Sequence, residues 1–396
     1  MNKKLAINGG EPVRDDLLPY GFQWIDDEDV DAVARMLKND WITQGPMIDK
    51  FEEKVANYCG AEYGVAFSNG TTALHAAVSV AGISQGNEVI TTPITFAADA
   101  NAVVYNDGIP VFADIKEDTL NIDPEEIEKK ITDKTKAIIP VDFAGNPVEL
   151  AAIGELADQY GLTVIEDAAH ALGGEYKGRK LGSISDMTMF SFHPVKHITT
   201  GEGGMILTDK KKYAKKLKTF RHHGIIKKGE DLQQNHGPWY YEMQELGHNF
   251  RITDIQCALG ISQMGKLDGF VKRRRKIAQC YDEAFSDLVE IITPNETENS
   301  KHAYHIYVIQ LANGLEEDRK EVFEALRAEN IGVNVHYVPV HFHPFYQENF
   351  GYNEGDYPRA ENCYRRAITL PMFPKMKEED VCDVIKAVKK IVSSYR

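Results

Sequence analysis

Short apolar runs alternate with amphipathic helical stretches through the first two thirds of the chain. Helical spacing is clear at Met47, Ile48, Phe51 and Val55. Apolar runs of strand length lie at residues 64–67, 88–90, 111–112, 137–139 and 162–165. Strands that alternate with helices are typical of a mostly parallel sheet with helices on both faces. The pattern therefore predicts an α/β fold.

The pattern changes past about residue 285. It predicts a strand at 304–311, a helix at 317–328, a strand at 333–337 and two further helical stretches. These elements indicate a smaller α+β domain. We therefore divide the chain into an N-terminal segment (1–45) that contributes to the site, a large domain (46–265) and a small C-terminal domain (266–396).

A single lysine follows a predicted buried strand at residues 187–192. Lys196 comes two positions after Pro194, before a Gly-Glu-Gly-Gly turn and a second apolar run. Burial of a lysine disfavours its charged form and lowers its pKa, so that the amine becomes a nucleophile able to form a Schiff base. The simpler alternative is a lysine at a loop apex that points to water.

A carboxylate lies at the end of another predicted strand, where open α/β sheets bind their ligands. Asp167 directly follows the run at residues 162–165 and Glu166. The ring nitrogen of pyridoxal phosphate requires such a partner, because only the protonated ring withdraws electrons effectively. An ion pair at roughly 3 Å in a medium of effective dielectric near 20 contributes about 5 kcal/mol. A helix-capping aspartate is the alternative.

Small hydroxyl residues and glycine follow the strand at 64–67 and precede an alanine-rich helical stretch. This composition at a helix start can bind an anion, and Gly70, Thr71 and Ser191 are the candidate donors. An ordinary N-cap explains Thr71 equally well. Phe96 follows the strand at 88–90 and can either stack on a ligand ring or pack in the core. His336, in the polar and aromatic stretch 334–341, is predicted to lie at the mouth of the site.

The net charge of the chain disfavours some classes of binding partner. Lys plus Arg number 45 against 60 Asp plus Glu, a formal net charge of −15, which disfavours nucleic acid and anionic membranes as partners. An anionic substrate then needs a local basic patch, which can come from Arg221, His222, His223, Lys227, Lys228 and Arg251.

Cysteine and histidine spacing predicts no metal site. The five cysteines are scattered without Cys-x-x-Cys spacing, which argues against a disulfide framework or zinc site and fits a reducing cytosol. The adjacent His222 and His223 lack a partner at ligand spacing. No apolar run is long enough for a signal peptide or a membrane span, which favours a cytoplasmic protein.

Five stretches resemble, in the same order, the motifs of the DegT/DnrJ/EryC1/StrS sugar aminotransferases. They are SNGTTALHAA, PITFAADANAV, VIEDAAHALG, FSFHPVKHITTGEGG and LGHNFRITDIQCALG. The resemblance covers nearly the whole chain, from Trp24 to the last helical stretch. It implies the fold-type I architecture, pyridoxal 5'-phosphate bound in the large domain, and a homodimer with shared active sites.

The resemblance also implies roles for individual residues. Lys196 would form the Schiff base and Asp167 would pair with the ring nitrogen, while His170 and Phe96 would flank the ring and Gly70, Thr71 and Ser191 would hold the phosphate. Gly45 would approach the sugar, and Asn249 and Arg251 would reach the cofactor phosphate and the substrate of the neighbouring subunit. A helix start at Pro46, a helix cap at Asn249 and a surface arginine are the structural alternatives.

The implied reaction moves an amino group from L-glutamate to a nucleotide-linked keto sugar. The stretches FHPVKHITTGEGG and HYVPVHFHPFY resemble enzymes that aminate C4 of UDP-linked 4-keto-6-deoxy-N-acetylhexosamines on the route to pseudaminic acid. Alternatives are a dTDP- or GDP-linked 3- or 4-keto deoxysugar as substrate, a sugar dehydratase, which would carry His in place of Lys196, and a non-catalytic sensor with the same fold.

Overall fold

The computed structural model describes residues 4–227, 232–234 and 236–395. The helices are α1 (Asp27–Leu37), α2 (Pro46–Cys59), α3 (Gly70–Val80), α4 (Ala98–Val104), α5 (Pro124–Lys130), α6 (Leu150–Tyr160), α7 (Lys211–Phe220), α8 (Asp254–Met264), α9 (Leu267–Phe285), α10 (Arg319–Ala328), α11 (Pro344–Phe350), α12 (Pro358–Arg366) and α13 (Glu378–Tyr395). The strands are β1 (Tyr63–Phe67), β2 (Glu88–Thr91), β3 (Ile109–Phe112), β4 (Thr135–Ile139), β5 (Thr163–Asp167), β6 (Glu175–Tyr176), β7 (Arg179–Lys180), β8 (Met187–Ser191), β9 (Gly204–Thr208), β10 (Ile225–Ile226), β11 (Glu242–Met243), β12 (Ile291–Ile292), β13 (Ser300–Lys301), β14 (Tyr307–Leu311) and β15 (Ala367–Leu370).

A seven-stranded sheet in the order β1-β9-β8-β5-β4-β2-β3 forms the centre of the large domain. Strand β9 runs antiparallel to both of its neighbours, and the other six strands run in one direction. Separate apolar clusters cover the two faces, with Phe51 and Phe190 in one and Phe67 and Met189 in the other. The predicted α/β fold with a mostly parallel sheet is confirmed.

The parallel strands bring the candidate residues to one edge of this sheet. Strands β1, β2, β5 and β8 end at residues 67, 91, 167 and 191 respectively. Each is followed by one of the stretches in which the sequence predicts functional side chains. Because carboxyl ends of parallel strands meet at the same edge, residues more than a hundred positions apart are brought together there.

The second sheet is antiparallel, in the order β12-β14-β15, and packs with the C-terminal helices. Its apolar cluster includes Leu5 and Leu18, so the N-terminal segment packs against the C-terminal part of the chain. The domain boundaries at residues 45 and 265 stay predictions. Among the described residues, no helix has the length and apolar character needed to cross a membrane.

The predicted strand at 333–337 is wrong. Asn334 forms a single bridge with Thr369 of β15, and the segment makes no longer ladder. The side chains of His336 and Tyr337 contact Thr369 and His170, respectively, instead of alternating across a sheet. Side-chain contacts at the site, and not backbone pairing with another strand, therefore hold residues 333–337.

Asp254 joins the N-terminal segment to the large domain. This buried residue starts α8, and its carboxylate accepts hydrogen bonds from the backbone N–H groups of Gly45 at 2.6 Å and Met47 at 2.8 Å. Gly45 is the N-cap of α2 and offers no side chain, so the acceptor comes from another helix. Asp254 therefore fixes the start of α2 against α8.

Asp254→Ala is expected to lower the free energy of unfolding by about 3 kcal/mol, because two N–H groups lose a charged acceptor. Urea unfolding followed by circular dichroism measures the change. Asp31→Ala, at an exposed position of α1, is the control and is expected to shift stability by under about 0.5 kcal/mol. Equal stability of the two variants would contradict this role for Asp254.

Candidate active site

A cavity of about 710 Å³ opens at the carboxyl edge of the large sheet. Of the predicted site residues, it is lined by Gly70, Thr71, Phe96, Asp167, His170, Ser191, Lys196 and His336. These residues come from five separate stretches of the chain. The fold thus brings together most of the predicted site within one cavity.

Lys196 lies in the loop between β8 and β9 and faces this cavity. Its backbone N–H donates to the carbonyl of His193, which closes a tight turn. Burial lowers the pKa of the amine to about 8, although the Asp167 carboxylate acts in the opposite direction. Since the neutral amine is the nucleophile, the lowered pKa makes far more of Lys196 reactive near neutral pH than an exposed lysine would be. The alternative of a lysine pointing to water is wrong.

Asp167 ends β5 and is 7% exposed. Its Oδ1 accepts a hydrogen bond from the backbone N–H of Ala169 at 2.8 Å. Burial raises the pKa of this carboxyl, whereas the Ala169 N–H, a contact with Asp99 and the charge of Lys196 favour ionisation. The residues that directly follow Asp167 form turns and no helix, so the helix-cap alternative is wrong.

The N-terminus of α3 forms one wall of the cavity. Asn69 is the N-cap, and its side chain accepts from the N–H of Thr72 at 2.9 Å, so Thr71 is not the cap. A Cβ atom placed on Gly70 would lie 3.3 Å from Cβ of Ser191, a close approach that favours glycine at this position. First-turn N–H groups have no partner within a helix, so they and the Ser191 hydroxyl can bind an anion here.

Aromatic side chains form the opposite walls. The phenol of Tyr337 lies 3.1 Å from Nε2 of His170, while the buried Nδ1 of His170 has no hydrogen-bond partner in the described structure. Burial lowers the pKa of His170 well below its usual value, so the ring is neutral. Phe96 is 63% exposed at the rim, which rules out the core-packing alternative.

His336 is buried on the same cavity, and burial together with the charge of Lys196 lowers its pKa to about 4. Its Nδ1 lies 2.8 Å from the hydroxyl of Thr369. His336 therefore lies at the site, and its imidazole is neutral.

Four predicted residues do not line the cavity of this single chain: Gly45, Arg221, Asn249 and Arg251. Gly45 caps α2, as the structural alternative for Pro46 predicts. Arg221 donates to the buried Glu52 and to the carbonyl of Ala66, so its charge is neutralised inside the protein. The contacts of Arg221 contradict its prediction as a substrate contact.

Arg251 and Asn249 lie on the segment before α8. Nη1 of Arg251 lies 3.0 Å from Nδ1 of His222, and Asn249 is exposed. The N-cap of α8 is Thr253, so the helix-cap alternative for Asn249 is wrong. Lys228 of the predicted basic patch lies outside the described residues. Groups of side chains that could hold a metal ion do not occur among the residues described.

Sequence reasoning missed several residues of the site. Tyr337 was not predicted, although it is adjacent to His336 in the stretch 334–341. Asp99 contacts Asp167, and His305 packs at 4.4 Å from His170 between ring centroids. Tyr20 also lines the cavity, from the N-terminal segment. The motif PITFAADANAV contains Asp99, but no spacing in it identifies a contact with a residue 68 positions away.

The chemistry of this donor set fits pyridoxal phosphate. The cavity offers an amine with a lowered pKa at Lys196, a carboxylate at Asp167 and an anion cradle at Gly70 and Ser191. The unpartnered Nδ1 of His170 is a further buried polar atom for which a ligand can supply a partner. The fold and this site define a fold-type I pyridoxal-phosphate-dependent aminotransferase.

Comparisons with known proteins agree with this class. The DegT/DnrJ/EryC1/StrS aminotransferase family model matches residues 23–389, and the chain belongs to this family. It is 43% identical over 96% of its length to the spore coat polysaccharide biosynthesis protein SpsC of Bacillus subtilis, covering 98% of that protein. It is 39% identical over 92% of its length to a UDP-4-amino-4,6-dideoxy-N-acetyl-beta-L-altrosamine transaminase of Campylobacter jejuni, covering 94% of it.

A solved structure supports the same assignment. Helicobacter pylori PseC, an aminotransferase involved in the biosynthesis of pseudoaminic acid, superposes with a TM-score of 0.89 at 34% identity. The match covers 96% of this chain and 100% of that one. The protein is therefore a pyridoxal-phosphate-dependent sugar aminotransferase, and the non-catalytic sensor is excluded.

The rate at which the cofactor-free protein captures pyridoxal phosphate at Lys196 is expected to rise with pH through the pKa of about 8 and to level off above it. Below that value most of the amine is protonated, and above it the neutral form already predominates. Borohydride trapping followed by peptide mass spectrometry measures the capture, with Lys196→Ala as the control for other lysines. A rate that rises steadily to pH 10 would contradict the lowered pKa.

Proposed function

We propose that this enzyme transfers an amino group from L-glutamate to the C4 keto group of a UDP-linked 4-keto-6-deoxy-N-acetylhexosamine, in the biosynthesis of pseudaminic acid or a related surface glycan. The observation that carries the proposal is the similarity over nearly the whole chain to the Campylobacter jejuni transaminase and to PseC. A cavity that contains both Lys196 and Asp167 supports it.

A different dTDP- or GDP-linked 3- or 4-keto deoxysugar is the second candidate. The identity to SpsC, at 43%, is higher than the identity to the Campylobacter jejuni transaminase. The name of SpsC specifies a spore coat polysaccharide and no particular sugar. The site residues described above are compatible with either substrate, because they contact the region where the amino group is transferred.

The residues of the cavity have different roles in the reaction. Pyridoxal phosphate, when bound, supplies the electron-withdrawing ring that allows a carbon-bound proton to be removed. Lys196 is the base that accepts this proton on Nζ and returns it as an acid, which its pKa of about 8 permits in both directions. Asp167 would supply the negative charge that pairs with the protonated ring nitrogen when the cofactor is bound. The rings of His170 and Phe96 limit access of water to the reacting atoms.

An anionic substrate must find positive charge on a chain with a formal net charge of −15. Arg251 contacts the imidazole of His222 and, within the described residues, forms no ion pair with a carboxylate. Burial and the charge of Arg251 lower the pKa of His222, so this partner is neutral. Arg251 therefore keeps its positive charge available for a phosphate group, in contrast to Arg221.

We infer that the enzyme acts as a homodimer with shared active sites. Asn249 and Arg251 lie outside the cavity of their own chain. Large apolar side chains are exposed at Trp41, Trp239 and Leu246, with Leu246 79% exposed. Since exposed apolar side chains of this size favour burial in an interface, they support a second copy that covers them. Asn249 and Arg251 would then complete the site of the neighbouring subunit.

The product is expected to be the 4-amino sugar attached to UDP. A panel of UDP-, dTDP- and GDP-linked 3- and 4-keto deoxysugars, each supplied with L-glutamate, tests this expectation, with proton NMR locating the new amine. The same panel with Lys196→Ala is the control for uncatalysed amination. A preference for a 3-keto or a dTDP-linked substrate would overturn the substrate and leave the transaminase assignment in place.

Mixing Lys196→Ala subunits with Arg251→Ala subunits is expected to restore part of the activity. Each variant alone lacks one required group in every site, but a mixed dimer contains one site with both groups intact. Turnover of the keto sugar is measured after the subunits have exchanged, and exchange is verified with a tag on one variant. A monomer in solution, or no recovery despite exchange, would contradict the shared site.

A further inference from the structure

Asp99 is a fully buried carboxyl group beside the site. It has no role in the reaction described above. It lies in the first turn of α4 and is 0% exposed. The hydroxyl of Thr95 donates to its Oδ2 at 2.6 Å. Its Oδ1 is buried and accepts no hydrogen bond from any donor in the described structure.

The neighbour of this carboxyl is Asp167. The two side chains are within hydrogen-bonding reach of each other. Two ionised carboxylates in contact repel each other, whereas one proton shared between them converts the contact into a hydrogen bond. A proton on Asp99 also lowers the cost of leaving its Oδ1 buried without a partner, because a neutral carboxyl is less costly to bury than a carboxylate.

The surroundings decide which carboxyl carries the proton. Asp167 accepts the N–H of Ala169 and experiences the charge of Lys196, and both favour its ionised form. Asp99 is favoured as an anion by the Thr95 hydroxyl and its own backbone N–H, but burial together with the charge of Asp167 outweighs them and raises its pKa well above the usual value. The proton therefore resides on Asp99 and the negative charge on Asp167.

We propose that Asp99 is a positioning residue: as a neutral carboxylic acid it donates a hydrogen bond to the Asp167 carboxylate, which keeps Asp167 ionised and correctly oriented toward the ring nitrogen of the cofactor. This inference rests on the proposed pairing of Asp167 with that nitrogen. Asp99 contacts neither substrate nor cofactor in this arrangement and acts through Asp167 alone.

The other ionisable groups around Asp99 support this arrangement. Lys196 is the cation that interacts with it, and Lys196 interacts more strongly with Asp167. Tyr337 and Tyr346 face it from the C-terminal part of the chain, and burial keeps both phenols neutral. Asp99 therefore receives less compensation by positive charge than Asp167 does.

A second pair of buried acids serves as a matched control. Oδ2 of Asp142 and Oε1 of Glu166 are buried without a partner in the described structure, and the two side chains are within hydrogen-bonding reach. Burial raises the pKa of Asp142 well above the usual value, so this pair also shares a proton. Neither residue lines the cavity. Asp142→Asn therefore removes a buried acid without removing the donor to Asp167.

The experiment compares Asp99→Asn, Asp99→Leu and Asp142→Asn in the holoenzyme. The asparagine amide retains a donor for Asp167, whereas leucine has similar volume and no donor. The readouts are the pH titration of the absorbance of bound cofactor, its dissociation constant, and the rate of the glutamate half-reaction. A difference infrared spectrum of the cofactor-free parent and Asp99→Asn tests the protonation state directly, through the carbonyl band of a neutral carboxylic acid.

Asp99→Asn and Asp142→Asn are expected to titrate like the parent and to react within about threefold of its rate. Asp99→Leu is expected to lose about tenfold or more in the half-reaction, because Asp167 loses a hydrogen bond to a charged acceptor. The pH midpoint of its absorbance titration is expected to rise, since a less protonated ring would lower the acidity of the Lys196 nitrogen when it is bonded to the cofactor. A purely structural role of Asp99 would lower stability without this shift.

Parent-like titration of Asp99→Leu would overturn the proposal, as would an Asp99→Asn variant impaired in the same way as Asp99→Leu. If Asp99→Leu does not fold, Asp99→Asn still decides: a displaced titration, or no loss of a carboxylic acid band in the infrared difference, overturns the proposal. Asp167→Asn separates the two inferences, because parent-like titration of that variant would refute the pairing of Asp167 itself.

Discussion

The site depends on keeping one amine and one carboxylate inside a cavity where few other charges are available. Burial disfavours the charged forms of both Lys196 and Asp167, and each is the main compensating charge of the other. Neither effect dominates completely, so the amine retains a pKa of about 8. This value leaves Lys196 able to attack a carbonyl as a neutral amine and to carry a proton when needed. The fold brings these two groups together because Asp167 ends β5 and Lys196 lies in the loop that follows the neighbouring strand β8.

The same balance accounts for the neutral surroundings of the pair. His170, His305 and His336 all have lowered pKa values, caused first by burial and in part by the charge of Lys196. The ring systems near the amine therefore add hydrogen-bonding atoms without adding positive charge. Asp99, on the carboxylate side, is neutral for the converse reason. In a medium of low dielectric, a network of neutral hydrogen-bonding groups around one ion pair costs less than several buried charges.

Much of this arrangement was predictable from local sequence. The strand runs and their periodicity predict the α/β fold. Lys196, Asp167 and Gly70 follow predicted strands or begin a helix, and Ser191 lies near the end of a predicted strand. Position after a strand is a local property, and the common direction of parallel strands converts it into spatial proximity. The five ordered motifs, through their resemblance to known enzymes, identify the cofactor and the family. Chain composition and the net charge of −15 limit the partners further.

Only the tertiary structure decided which charged residues are neutralised by a partner and which can still bind a ligand. Arg221 and Arg251 both belong to the predicted basic patch, but Glu52, far earlier in the chain, pairs with Arg221 and not with Arg251. The contact between Asp99 and Asp167 joins residues 68 positions apart, and no periodicity encodes it. Residues 333–337 have the apolar pattern of a strand, yet their side chains are held by His170 and Thr369. Propensity acts over a few neighbouring residues, whereas charge compensation and side-chain pairing depend on distances that the complete fold sets.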